Sequence, residues 1–236
     1  MRHIAIILAG GTGSRVGGNT PKQLLPLEDG RSILEHSVDA FETAPAIDEI
    51  AIVMHPDWIE EARQICERNS WQKVTKIIPG GEERWESSWH AILAYMEIEN
   101  RKSKIENRVS LWFHDAARPF VNQRILADVA EALRTHDAVT VAVPVTDTIY
   151  KVQGDKEQST RKRVESVPSR SDYMRAQTPQ AFRLSLVADA YMKALAEDEV
   201  IATDDAGIVR KYAPKHPIVI VQGEEENRKI TYKEDL

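Results

Sequence analysis

The sequence predicts an α/β protein whose mostly parallel sheet carries helices on both faces, with a β-arm projecting from it. Three observations lead there. Short apolar runs recur at Ile4–Ala9, Ile50–Met54, Val74–Ile78, Val109–Phe113, Val139–Val143 and Ile218–Val221. Continuous runs of this kind, rather than alternating ones, suit strands buried on both faces. Between them lie stripes at helical spacing, and strand–helix alternation reads as a covered parallel sheet. The third observation is a break in the pattern: residues 146–175 mix short β-prone pieces with many charges and have no core of their own.

The first run leads directly into Gly10, Gly11 and Gly13, then Arg15, then Pro21-Lys22-Gln23. Glycines let the backbone turn tightly and present bare N–H groups to an anion. A Gly-rich turn is by itself more often only a turn. The added Arg15 and Lys22 make a phosphate grip at the sheet edge the reading to test. Two familiar phosphate loops are excluded. No lysine stands in a G-x-x-x-x-G-K-[ST] run, and the third position of a G-x-G-x-x-G is Val16. A long loop therefore precedes the first helix, which is expected near Ser32.

Composition removes several classes of function. With 236 residues, 42% hydrophobic and 29% charged, the chain suits one globular domain spanning 1–236. Its longest apolar runs are five or six residues, so no transmembrane helix is expected. The N-terminus enters a strand without the regions of a signal peptide. A net charge of −6 argues against general nucleic-acid binding. Cys66, the single cysteine, falls on an apolar helix face and reads as packing. The cytoplasm is the expected compartment.

Later elements follow the same logic. Trp58, Ile59, Ala62, Ile65 and Cys66 share a helix face, as do Trp85, Trp89, Ile92, Leu93 and Met96. Ile125, Leu126, Val129, Ala130 and Leu133 form a third stripe, with Asn122 as its expected N-cap. The Trp-rich helix opens after Pro79-Gly80-Gly81-Glu82-Glu83-Arg84. Glutamates there complement the helix dipole, whereas Arg84 opposes it and implies a partner such as a phosphate or a base edge. Trp85 and Trp89 read as core. After Val109–Phe113 comes His114-Asp115-Ala116-Ala117-Arg118. Asp115 is a candidate hard-oxygen ligand for Mg²⁺ and Arg118 a substrate anchor. A local Asp115–Arg118 ion pair is the structural alternative, and His114 fits a hydrogen-bonded strand end.

Within 146–175, Gly154 to Arg163 reads as the turn of an extended hairpin. Two strands alone are marginal, so the arm should lean on a second subunit, and Arg170 could reach that subunit's site. Gln177 to Phe182 then returns the chain to the domain. A helix is expected from about Leu184 to Ala196, and Thr203 or Asp204 should cap another.

Seven stretches, LAGGTGSRVG with PKQ, GGEERWES, HDAARPF, VTDTIY, QTPQAF, TDDA and NRKIT, together resemble the 2-C-methyl-D-erythritol 4-phosphate cytidylyltransferase family nearly end to end. The resemblance implies a Rossmann-like nucleotidyltransferase fold, Mg²⁺-dependent use of CTP, and a homodimer joined through the arm. It implies Arg15 and Lys22 as catalytic cations. It gives Leu8, Ala9, Gly10, Gly11, Gly13, Gly81, Glu82, Arg84 and Ser87 to CTP. The polyol phosphate takes Asp115, Arg118, Thr148, Thr178, Thr203 and Lys229, with Arg170 supplied by the other subunit; Asp115 is also the metal ligand. The Leu8-Ala9-Gly10-Gly11 opening is closer to the sister ribitol-5-phosphate cytidylyltransferases, which keeps CDP-ribitol synthesis as the alternative. His114-Asp115-Ala116-Ala117-Arg118-Pro119 favours the methylerythritol type. A sugar-nucleotide transferase and a non-catalytic nucleotide-binding module are further alternatives.

Overall fold

The computed structural model describes residues 1–11, 20–99, 109–153, 162–197, 200 and 202–235, with the backbone alone at 97–99 and 233. The strands are β1 Arg2–Ala9, β2 Glu49–Met54, β3 Val74–Pro79, β4 Val109–Asp115, β5 Ala138–Pro144, β6 Lys151–Gln153, β7 Arg163–Ser166, β8 Met174–Arg183 and β9 Val219–Gln222. The helices are α1 Ile33–Glu42, α2 Ile59–Asn69, α3 Arg84–Glu99, α4 Gln123–Ala132, α5 Leu184–Ala194 and α6 Asp205–Tyr212. Seven strands form one sheet in the order β3-β2-β1-β4-β8-β5-β9. Only β8 among them runs antiparallel, to both β4 and β5. No helix among the described residues is long and apolar enough to cross a membrane.

Side-chain alternation along each strand feeds two cores, one on each face of the sheet. Ala5, Ile7 and Ala9 of β1 join Leu34, Val38 and Phe41 of α1, with Ile125, Leu126 and Val129 of α4. Ile4, Ile6 and Leu8 turn the other way, toward Ala91 and Ile92 of α3, Val187 and Tyr191 of α5, and Ile208 of α6. This explains why the inner strands β1, β2, β4 and β5 read as unbroken apolar runs, because neither face of the sheet meets water there. The edge strands β3 and β9 are partly exposed. Trp85 and Trp89 pack against the second core as expected, with Trp89 stacked on Tyr191 at 6.1 Å.

Helix starts follow local chemistry. Ser32 caps α1 and forms a reciprocal capping box with Glu35. Asn122 accepts from Ile125 N at 3.0 Å and caps α4. Of the two candidates for α6, Asp204 is the cap, accepting from Gly207 N at 2.8 Å. Cys66 packs against the first core, and burial pushes its thiol up to about 11. That unreactive state agrees with a packing role.

One element departs from the sequence expectation. The stretch read as the far end of an arm followed by a return is a ten-residue strand, β8, in the middle of the sheet. Pro179 and the polar Gln177, Thr178 and Gln180 concealed it, since proline cannot donate to a central ladder. The structure accommodates Pro179 at a register shift. Thr140 faces Gln180 and the next residue, Val141, faces Gln177, leaving Thr178 and Pro179 outside that ladder. The arm itself is the short β6–β7 pair, exposed throughout. Its expected turn lies largely in 154–161, outside the described residues.

Candidate active site

The sheet order reverses between β1 and β4: from β1 the chain steps outward to β2 and β3, then crosses back to β4. Ligands of such sheets collect at the carboxyl ends of the strands at this switch point. A cleft of about 370 Å³ opens there. It brings together Leu8, Ala9, Gly10, Gly11, Lys22, Gly81, Glu82, Arg84, Ser87, Asp115 and Lys229, eleven of the residues singled out from the sequence. Gly13 and Arg15 lie outside the described residues.

The cleft floor is a close approach of two glycine turns. A Cβ on Gly10 would stand 2.9 Å from Ser87 Oγ, and one on Gly80 only 3.2 Å from Gly10 Cα. Side chains at either position would force the turns apart. Ser87 Oγ accepts from Gly81 N at 3.1 Å, so the start of α3 fastens the second turn. The first turn is fastened by Gln23, to which the sequence pattern assigns no role. Its buried amide donates to Ala9 O and, at 3.0 Å, to Gly11 O. Proximity to Pro21-Lys22 was the only signal for it.

Asp115, at the end of β4, is the electrostatic centre. Arg84 Nε donates to its Oδ1 at 3.0 Å and Lys229 Nζ to its Oδ2 at 2.7 Å. Burial alone would raise this carboxyl, but Arg84 and Lys229 hold it far below the carboxylate range. Arg84 also donates from Nη1 to Asp205 at 2.7 Å. The cation that opposes the α3 dipole thus has two carboxylate partners from distant stretches, where the sequence suggested a phosphate or base edge. Its Nη2 is buried without a partner among the described residues. Lys22 reaches the cleft from the other side, donating to Ile230 O at 2.8 Å.

The expected alternative of an Asp115–Arg118 ion pair does not form. Arg118 turns instead to Asn227 O at 2.8 Å and Ala176 O at 3.2 Å. The turn between them is set by a directional relay. Asp115 N donates to Thr178 Oγ, Thr178 pairs with His114 Nδ1 at 3.0 Å, and His114 Nε2 donates to Arg118 O at 3.0 Å. With Thr178 donating to Nδ1, every proton in the relay has one acceptor. Burial lowers His114 to about 4, which keeps the imidazole neutral. Thr178 is therefore buried beneath Asp115 rather than lining the cleft. Thr148 and Thr203 are exposed, and Arg170 donates to Thr146 O at the base of the arm. None of these three, nor Arg118, is among the described cleft walls.

Among the described residues no group of three or more His, Cys, Asp or Glu is arranged to hold a metal. Asp115 offers one ionised oxygen donor at the cleft. That donor set fits a Mg²⁺ completed by ligand phosphates and water, and would not suffice for an all-protein site.

Sheet order, switch point and a charged cleft in which Arg84 and Lys229 bracket Asp115 define an α/β protein of the nucleotide-handling, Rossmann-like class. Within that class, the chain belongs to the 2-C-methyl-D-erythritol 4-phosphate cytidylyltransferase (IspD) family, whose sequence model matches residues 3–236. It is 43% identical over 235 residues to the enzyme of that name from Thermobifida fusca, covering 100% of this chain and 90% of that protein. It is also 37% identical to the bifunctional ribulose 5-phosphate reductase/CDP-ribitol pyrophosphorylase Bcs1 of Haemophilus influenzae, covering 100% of this chain but 47% of that protein. Among solved structures, the 4-diphosphocytidyl-2C-methyl-D-erythritol synthase of Anaerococcus prevotii aligns with a TM-score of 0.78 at 27% identity, over 99% of this chain and 92% of that one.

Proposed function

We propose that the protein transfers the cytidylyl group of CTP to 2-C-methyl-D-erythritol 4-phosphate, releasing pyrophosphate, as a step of non-mevalonate isoprenoid synthesis. The observation that carries the reading is the switch-point cleft, where Asp115, Arg84, Lys229 and Lys22 meet the Gly10–Gly11 turn. In this transfer an oxygen of the acceptor phosphate forms a bond to the α-phosphorus of CTP, and the bond to the bridging oxygen of the β-phosphate breaks. The attacking group is already an anion, so no general base is needed. The site's task is to align two polyanions and neutralise their charge.

The residues divide accordingly. Bare N–H groups of the Gly10–Gly11 turn and Lys22 face the triphosphate, with Arg15 as its second cation. Gly81, Glu82 and Ser87 bound the cytosine, and Arg84 offers its unpartnered Nη2. Asp115 would hold Mg²⁺, which when bound screens the phosphate oxygens and favours departure of pyrophosphate. Lys229, Arg118, Thr148, Thr178 and Thr203 serve the acceptor. The arm, an insertion at 146–175 within one domain, exposes Tyr150, Val152, Val164, Val167, Tyr173 and Met174. Apolar side chains exposed on this small pair of strands and on the segments flanking it support a homodimer through the arm, with Arg170 serving the partner's site. The reading implies the cytoplasm, where thiols stay reduced.

Similarity to the Haemophilus influenzae protein and the Leu8-Ala9-Gly10-Gly11 opening keep ribitol 5-phosphate as the second acceptor to test. The assay supplies purified protein with Mg²⁺, each of the four nucleoside triphosphates, and either polyol phosphate, and measures pyrophosphate release. Turnover is expected with CTP and methylerythritol phosphate. Turnover only with UTP or GTP and a hexose phosphate would overturn the reading, and preference for ribitol phosphate would correct the acceptor.

A further inference from the structure

Behind Arg84 and Asp115 stands a further carboxylate. Asp205, the first residue of α6, is fully buried. It accepts from Arg84 Nη1 at 2.7 Å on one oxygen and from Tyr191 OH at 2.6 Å on the other. Arg84 then passes to Asp115, and Asp115 to Lys229. Side chains from α5, α6, α3, β4 and the C-terminal segment form one continuous hydrogen-bonded chain ending in the cleft.

The helix does not need this carboxylate. Asp204 already caps α6, and Gln180 of β8 pins the same turn through Asp204 Oδ2 at 2.7 Å and Ala206 N at 3.0 Å. A second carboxylate buried beside the cap carries a desolvation cost that its partners must offset. Its effect falls on Arg84. The four charged members Arg84, Lys229, Asp115 and Asp205 carry two positive and two negative formal charges. Removing the Asp205 charge would leave a net positive cluster, with the guanidinium drawn wholly onto Asp115.

We propose that Asp205 is a positioning residue of the transfer site: by holding Arg84 from behind, it keeps the guanidinium shared between two carboxylates. Asp115 thereby retains enough negative character to face a divalent cation. The proposal rests on the reading that nucleotide phosphates and a metal meet at Asp115.

The test measures Mn²⁺ binding by electron paramagnetic resonance, with CTP present and no acceptor, beside steady-state kinetics. Asp205→Asn is expected to weaken Mn²⁺ binding tenfold or more and to lower kcat at least tenfold, with the CTP KM within threefold of the wild type. Tyr191→Phe removes a hydrogen bond from Asp205 and leaves its charge, so Arg84 is pulled farther from Asp115. Mn²⁺ is then expected to bind as tightly as in the wild type, or up to threefold more tightly. A purely structural role would weaken both variants together. Wild-type Mn²⁺ affinity in Asp205→Asn overturns the proposal. Weakened affinity in Tyr191→Phe also overturns it, and decides the matter if Asp205→Asn does not fold. Failure of the underlying reading shows separately, as wild-type protein that releases no pyrophosphate or binds Mn²⁺ without regard to CTP.

Discussion

Two buried carboxylates flank β1, and the contrast between them separates support from chemistry. Glu49 opens β2 at the amino edge of the sheet, and Asp115 closes β4 at the carboxyl edge. Glu49 accepts from Arg2, from Thr75 Oγ1 and, at 2.7 Å, from Tyr95 OH. Burial would raise its carboxyl, and these partners bring it below its ordinary value. No buried unpartnered atom occurs among the four. Asp115 is tied instead to two cations from distant stretches, and buried donors are left over nearby at Arg84 Nη2 and Arg118 Nε. A leftover buried donor costs stability unless something accepts from it. The amino-edge cluster is complete within the protein, whereas the carboxyl-edge cluster leaves buried donors without an acceptor among the described residues.

The largest expected effects would break this contrast if they failed to separate. Asp115→Asn should lower kcat on the order of 10²–10³, by analogy with removing one transition-state donor. Its urea midpoint should change little, because Arg84 keeps Asp205 and Lys229 is partly exposed. Glu49→Gln should do the reverse. Loss of a charged acceptor for two hydroxyls and Arg2 should cost about 3 kcal/mol of stability, with kcat/KM within twofold. Comparable kinetic losses in both variants would show that the two ends are not functionally distinct.

How much of this was legible in the sequence follows the range of the forces involved. The six apolar runs, the capped helices and the cleft lining at Gly10, Gly81 and Asp115 depend on local pattern, and the structure has them close to where they were read. β8 was not legible, because its polar side chains answer needs that arise only after folding. Gln177 donates to Glu224 O, Asn227 donates to Thr178 O, and Gln180 holds the start of α6. The partners of Arg84 lie 31 and 121 residues away, so its sequence signal, a cation against the helix dipole, announced a partner without naming it. Asp205 was hidden by its neighbour, since one acid at a helix start is enough to explain a cap.

Glu35, a third buried carboxylate in the first turn of α1, sharpens the contrast because it too belongs to a closed cluster. It accepts from Ser32 N and Oγ, Arg68 and Asn69 at 2.7–3.1 Å. Burial would raise its carboxyl, but Asn69, Ser32 and Arg68 bring it to about 2, below the ordinary 4.5. A carboxyl depressed on folding adds stability that is complete above about pH 4.5 and is lost as pH falls toward 2. Allowing for the exposure of Arg68, the contribution should be on the order of 2 kcal/mol. Urea unfolding of wild type and Glu35→Gln should differ by that amount at pH 6, by roughly half of it at pH 3, and converge only at about pH 2 and below. A gap that holds across this range would remove Glu35 as its source.

The smallest effect draws the boundary most finely. Asn122 follows the Asp115 turn and caps α4, so it stands a few residues from the cleft with a polar side chain of its own. Its Oδ1 accepts from Ile125 N, and its Nδ2 donates to Glu224 at 2.6 Å. Both ends of the amide are thus occupied by protein, as for Glu49 and unlike Arg84. If completeness rather than position marks a structural group, Asn122→Ala should cost about 1 kcal/mol in unfolding free energy, the usual value of a lost cap. Its kcat and its KM for either substrate should stay within twofold of the wild type. A tenfold fall in kcat with an unchanged urea midpoint would mean that nearness to Asp115, and not a leftover donor, is what defines the site.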